Sequence, residues 1–260
     1  MATFLFDRLV FGPVQSRRLG ASLGINLLPA DSKYCNFDCI YCECGRNAAG
    51  SNIKEHPLPA RKDVAAALER KLAGMQASGQ LPDAITFAGN GEPTIHPDFA
   101  GIVDDVIALR NRYAPPSKIS VLSNATMLHR PEVAEALGKT DMPVLKLDSA
   151  IDATVRLLNH PAKAVPVRKL IARLKAFNGR CVIQTMFLHG TCNGQPVNNM
   201  LPEELDAWEK AVSDIRPKQL MIYTIARDTP VNTLYKAPEE TLRLIAKRME
   251  KYGIPVQISL

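Results

Sequence analysis

At 260 residues, 46% of them hydrophobic and 22% charged, the chain is long enough to bury a full core and to form one α/β barrel-sized domain. No apolar run approaches the roughly twenty residues of a membrane-spanning helix, and the apolar start at residues 1–11 is broken by Asp7 and Arg8 with no small-residue cleavage site behind it; neither a membrane span nor a secretory leader is expected. The net charge of +6 allows an anionic partner, but the basic pairs Arg17-Arg18, Arg61-Lys62, Arg168-Lys169 and Lys247-Arg248 are scattered and read as solvated surface, so nucleic acid is allowed but not indicated.

In chain order, residues 11–24 carry glycines at 12, 20 and 24 and Pro13, the marks of a lead-in hairpin or loop. Residues 24–28 predict a short buried strand, and a cysteine-rich loop follows. Residues 61–79 place Val64, Leu68, Leu72 and Met75 at helical spacing before a stopping glycine. A strand over 84–88 leads into Gly89-Asn90-Gly91-Glu92-Pro93. A helix over 97–112 then buries Phe99, Ile102, Val103 and Val106, with Pro97 near the first helical position.

The alternation continues with a strand at 118–122, Ser123-Asn124, and a helix from about residue 131. A strand at 143–148 and a short helical segment precede a longer helix through Val167, Leu170, Ile171, Leu174 and Phe177, stopped by Gly179. A strand at 181–188 is followed by a Gly- and Asn-rich loop to residue 200. Then come a helix at 202–215, a strand at 219–225, a helix at 238–252 and a terminal strand at 256–260. No repeat or linker divides the chain, so residues 1–260 read as one domain.

Six strands alternating with helices imply parallel strands joined by right-handed crossovers. A doubly wound open sheet fits that pattern too. A barrel is favoured because the polar, turn-forming groups collect at carboxyl ends of strands, where barrel enzymes place their sites.

Cys35, Cys39 and Cys42 are spaced C-x3-C-x2-C. Thiolates are soft ligands for iron–sulfur clusters or zinc; three of them on a cubane leave one iron open, whereas Cys44 completes a compact four-thiolate set for zinc. Four of the six cysteines crowd into residues 35–44, where disulfides would be strained, and a reducing cytoplasm is the expected location. Cys181 reads as a small buried hydrophobe. The histidines show no metal-type spacing, and His96 reads as helix-entry structure. Lys146 and Asp148 share a strand face by the two-residue period; charges in an otherwise apolar strand point to the lumen as a pair. Gln184 invites the same reading. At the Gly-rich strand end, backbone carbonyls approach an amine closely and Glu92 accepts from it with charge assistance.

The Cys35/Cys39/Tyr41-Cys42 loop, followed one strand later by the Gly91-Glu92-Pro93 turn, resembles the radical S-adenosylmethionine (SAM) superfamily. The resemblance runs over about residues 24–225 and implies a partial (β/α)6 TIM-type barrel, here with an N-terminal lead-in segment and a C-terminal extra strand. It implies a 4Fe–4S cluster on Cys35, Cys39 and Cys42, with SAM chelating the open iron and cleaved reductively to a 5′-deoxyadenosyl radical that abstracts hydrogen from a substrate. Cys44 is then a bystander, and Cys192 a candidate hydrogen-atom donor or acceptor.

It further assigns SAM contacts to Gly91, Glu92 and Pro93, to Ser123 and Asn124 for the carboxylate or ribose, to Tyr41 through its backbone carbonyl for adenine, and to Lys146, Asp148 and Gln184. Asn90 stands where the family usually has glycine. An external electron donor of the flavodoxin or ferredoxin type is implied, and the substrate is open, a protein or an RNA. The overall flavour is similar to the wyosine-base-forming-like oxidoreductases, yet no cysteine precedes Cys35 to carry their second cluster. A minimal glycyl-radical-enzyme activase is the alternative within the family, and a non-catalytic zinc or iron–sulfur module is the alternative outside it.

Overall fold

The computed structural model describes residues 4–47 and 57–260. The first three residues of the apolar start, and the polar residues 48–56, lie outside the described residues. A hairpin of β1 (Val10–Ser16) and β2 (Gly20–Ile25) opens the fold. There follow α1 (Arg61–Ala77), β3 (Ala84–Phe87), α2 (Phe99–Tyr113), β4 (Lys118–Ser123), α3 (Pro131–Gly138), β5 (Met142–Lys146), α4 (Asp152–Asn159), α5 (Val167–Lys175) and β6 (Val182–Met186). The chain finishes with β7 (Leu188–Cys192), β8 (Gln195–Asn198), α6 (Pro202–Ile215), β9 (Gln219–Tyr223), β10 (Leu234–Lys236), α7 (Glu239–Glu250) and β11 (Val256–Ser259).

The main sheet has eight strands in the order β1-β2-β3-β4-β5-β6-β9-β11. Every neighbouring pair is parallel except β1 with β2. This is the curled, partial TIM-type barrel expected from the sequence, with β11 as its extra C-terminal strand. The two-residue period sorts the side chains: Leu145, Ile183, Leu220 and Ile222 join the large core under the helices, while Val144, Val182 and Met221 form a separate cluster inside the curl. On α1, Val64, Leu68 and Leu72 are fully buried in that outer core, each contributing on the order of 1.5–3 kcal/mol by burial.

Three local expectations are corrected. The first strand runs Gly20–Ile25 rather than 24–28, because Asn26 bends the chain: its Oδ1 accepts from Leu28 N at 3.2 Å and its Nδ2 donates to Leu28 O at 3.1 Å. Helix α2 starts at Phe99, so Pro97 precedes it instead of occupying its first turn; His96 Nδ1 accepts from Asp98 N at 3.1 Å and shapes the entry. The loop expected over 189–200 is the antiparallel hairpin β7–β8, which pairs further with β10 into a small second sheet. Its turn is Asn193-Gly194, both at positive φ, the two-residue hairpin connection that Asn-Gly favours.

Candidate functional site

The cysteine loop is held from both sides by backbone pairing. On one side Tyr34 bridges Gly91 in parallel, with Tyr34 N donating to Asn90 O at 2.8 Å and Glu92 N to Tyr34 O at 3.2 Å. Gly91 has φ +144°, and a Cβ there would lie 1.8 Å from Tyr34 O, so only glycine allows this approach. On the other side Ala162 N donates to Asn36 O at 2.9 Å and Ile40 N to Leu158 O at 2.9 Å. Inside the loop, Lys33 is 3% exposed and its Nζ donates to Asp38 Oδ1 at 3.0 Å and Gly45 O at 2.9 Å.

Cys35, Cys39 and Cys42 line one cavity with Gly91, Glu92, Ser123, Asn124, Tyr41, Lys146 and Gln184. The space, with its open mouth, amounts to about 1160 Å³. All lie at or near carboxyl ends of β2 to β6. Two residues expected in the site stand behind its wall. Pro93 opens a short 3-10 turn, Pro93–Ile95, which the Glu92 side chain caps. Asp148 is fully buried, accepting from the Tyr41 hydroxyl, from Asn159 Nδ2 at 2.7 Å and from Met186 N at 3.0 Å, with Lys146 Nζ at 3.4 Å. The lysine pairing expected for Asp148 is present, and its oxygens are turned to these partners.

Glu92, 2% exposed, accepts from Thr94 N at 3.1 Å, the Thr94 hydroxyl, Ser123 Oγ at 2.8 Å and Asn124 N at 2.6 Å. Burial pushes its carboxyl above the usual range against the pull of these donors. Three of the four donors fall on Oε1, so Oε2 keeps acceptor capacity. Ser123 and Asn124 shape the turn after β4 as well: Ser123 Oγ accepts from Ala125 N at 3.0 Å, and Asn124 Oδ1 from Thr126 N at 3.0 Å.

Cys35, Cys39 and Cys42 are free thiols that border the cavity together. They also carry N–H donors of the kind that tune iron–sulfur sites: Phe37 N to Cys35 Sγ at 3.4 Å, Asn159 Nδ2 to Cys39 Sγ at 3.4 Å, and Asn124 Nδ2 to Cys35 Sγ at 3.7 Å. Burial pushes the Cys35 and Cys39 thiols up. A hydrogen bond from Cys44 and the nearby Lys33 charge bring Cys42 down to about 6, while that shared bond and burial push Cys44 up.

Sequence reasoning missed Lys33, Asn159, Tyr223 and the N-terminal aromatics. Phe4 and Phe6 line the cavity, and Asn90 holds Phe6 there: its Oδ1 accepts from Phe6 N at 2.8 Å, and its Nδ2 donates to Phe6 O at 2.9 Å and Pro29 O at 2.7 Å. A glycine at position 90 could make none of these side-chain bonds, which gives the departure from the family pattern a structural use.

The sequence profile of the radical SAM superfamily matches residues 31–201, about two-thirds of the chain. A UPF0026 protein of Methanocaldococcus jannaschii is 30% identical over 184 residues, spanning 69% of this chain and 54% of that protein. A UPF0026 protein of Synechocystis is 29% identical over 266 residues, 95% of each chain. Streptococcus suis SuiB bound to S-adenosylmethionine superposes with a TM-score of 0.61 at 18% identity, covering 91% of this chain and 50% of that one. TYW1 with a lysine-pyruvate adduct bound does so with a TM-score of 0.59 at 12% identity, covering 88% and 73%. This chain thus spans about half the length of the archaeal relative and of SuiB, and the two structures share its fold. With the superfamily's profile over most of its length and the cysteine loop and Gly-Glu-Pro turn facing one cavity, the chain belongs to the radical SAM superfamily, whose cofactors are a 4Fe–4S cluster and S-adenosylmethionine.

Proposed function

We propose that this chain is a radical SAM enzyme in which Cys35, Cys39 and Cys42 hold the cluster and the Glu92 side of the cavity holds SAM. The observation that carries this reading is the meeting of the three thiols with Gly91, Glu92, Ser123 and Asn124 around one cavity at the strand ends. The bound cofactors supply a one-electron cleavage of SAM to a 5′-deoxyadenosyl radical, which takes hydrogen from the substrate. The chain's own groups bind and orient. The free lone pair of Glu92 Oε2 accepts from the SAM amine, the Gly91 backbone lets that amine approach, and the Tyr41 backbone carbonyl receives adenine. Ser123 and Asn124 set the wall against which the carboxylate and ribose lie. Lys146 and Gln184 face the nucleoside from β5 and β6, and Asp148 and Pro93 act as positioning residues behind them.

Cys44, Cys181 and Cys192 do not gather into a second cluster site: Cys181 and Cys192 are buried in two different apolar clusters. The one-electron cleavage needs an electron source, for which we infer an external donor of the flavodoxin or ferredoxin type. The zinc-module alternative gives Glu92, Ser123 and Asn124 only their structural roles in capping and shaping turns, and no reason to border the cysteine cavity.

Glu92→Gln tests the cofactor side. An amide group facing Asn124 N–H and the SAM amine replaces an acceptor by a donor. A lost charge-assisted hydrogen bond of about 1.5–3 kcal/mol corresponds to roughly ten- to hundredfold weaker SAM binding. Equilibrium titration of SAM at matched iron content measures it, with thermal melting as the check on folding. Unaltered affinity in a folded variant would remove Glu92 from the SAM site.

A further inference from the structure

Arg17 and Arg18 sit on the turn between β1 and β2 and read from sequence as a pair of surface charges. The structure separates them. Arg17 is exposed, and its Nη1 donates to the Leu260 carbonyl. Its neighbour turns inward. Leu19 packs with Val144, Val182 and Met221 inside the curl, so the turn plugs the barrel and carries Arg18 into the lumen. The Arg18 guanidinium lies 4.7 Å from the centroid of the Tyr223 ring, on β9, and lines the cavity that holds the cysteines.

Four cations line that cavity: Arg18, Lys33, Lys146 and Arg227. Lys33 is paired with Asp38 at 3.0 Å, Lys146 with Asp148 at 3.4 Å and Arg227 with Glu43 at 2.6 Å. Arg18 is paired with no carboxylate among the described residues, and its Nη1 is buried without a hydrogen-bond partner. The two carboxylates of the lining are already engaged, Glu43 by Arg227 and Glu92 by its four donors. The face of Tyr223 attracts the cation but accepts none of its in-plane N–H groups. Arg18 as a whole is half-buried, but a buried Nη1 without a partner is a costly arrangement until an acceptor fills it, and the planar fork suits a carboxylate or phosphate. Gln184, buried on the inward face of β6, also lines the cavity, and its amide has no hydrogen bond among the described residues.

Glu92, Ser123 and Asn124, assigned to the amino-acid end and ribose of SAM, come from the ends of β3 and β4, whereas Arg18 leans on β9, three places further along the sheet from β4 and beyond β5 and β6, whose Lys146 and Gln184 face the nucleoside. We propose that Arg18 is the anchor of an oxyanion subsite in the lumen, taking the carboxylate or phosphate of an anionic substrate. The assignment to substrate rests on SAM occupying the Glu92 side of the same cavity.

The test uses cluster-loaded protein at constant ionic strength, with and without saturating SAM. Sodium succinate and sodium phosphate are titrated separately by calorimetry, and the probe that binds tells carboxylate from phosphate. Wild type and Arg17→Gln should bind one probe saturably, and Arg18→Gln should bind it about tenfold or more weakly, with SAM affinity unchanged. Arg18→Lys, which keeps the charge and loses the fork, should fall between them, and melting temperatures report whether each variant is folded. Equal binding by wild type and folded Arg18→Gln, or no saturable binding of either probe by wild type, overturns the subsite. Weaker SAM binding in Arg18→Gln overturns the assignment to substrate, since the guanidinium would then serve the cofactor's own carboxylate. Oxyanion binding by a wild type that fails to bind SAM would overturn the radical SAM reading and leave the Arg18 site standing.

Discussion

Replacing any one of Cys35, Cys39 or Cys42 by alanine is expected to abolish stable cluster binding, while Cys44→Ala retains it. All four thiols border the cavity, so position alone does not separate them. Their hydrogen bonds do. Cys35 and Cys39 each receive N–H donors at sulfur, the arrangement suited to a thiolate ligand. Cys44 instead acts as donor, its one S–H shared between Gly89 O at 3.5 Å and Cys42, which that contact helps draw toward the thiolate form. Three thiolates satisfy three irons and leave the fourth open for SAM. Iron and acid-labile sulfide per chain, measured after anaerobic reconstitution, give the comparison. Cluster loss in Cys44→Ala together with retention in any triad variant would reverse the assignment.

The second large effect is on stability. Asp148→Ala should destabilise the fold by about 3–5 kcal/mol, the cost of leaving a buried ion-pair partner uncompensated. The variant strands Lys146, whose side chain is 18% exposed, and removes the acceptor used by Tyr41, Asn159 and the Met186 backbone. Burial by itself would lower the Lys146 pKa; the charges around it, Asp148 foremost, raise it above its usual 10.5 instead. The lysine's contribution to stability is therefore fully present below 10.5 and is lost as pH rises through its raised pKa. Lys146→Met should cost less, because Asp148 keeps three other donors. Urea unfolding with an unchanged denaturant slope measures both; a loss under about 1 kcal/mol in Asp148→Ala would show that the pair carries little of the fold.

Much of this architecture was legible because two periods are written into the chain. The two-residue period put Lys146 and Asp148 on one strand face, and the structure pairs them at 3.4 Å, with Val144 in the cluster inside the curl and Leu145 and Leu147 in the outer core. The Asn193-Gly194 turn carries a hairpin signal too, but a Gly- and Asn-rich stretch looks like loop until the apolar Leu188, Cys192 and Val197 on either side are counted. What local pattern could not convey was the use of residues whose partners are remote in sequence. Asn159 reaches Cys39 across 120 positions, and Asn90 ties down Phe6 across 84. Arg18 shows the same limit most plainly: its sequence neighbours mark a surface turn, and only the packing of Leu19 inside the curl explains why the side chain just before it enters the lumen.

The central claim is that this cavity brings SAM to a reducible cluster. Anaerobic incubation of reconstituted protein with SAM and dithionite, repeated with reduced flavodoxin as donor, tests it by chromatography of the products. The account predicts 5′-deoxyadenosine and methionine in equal amounts, slowly even without substrate, and neither product from a Cys39→Ala variant. A fully loaded cluster that yields neither product with either donor would contradict it.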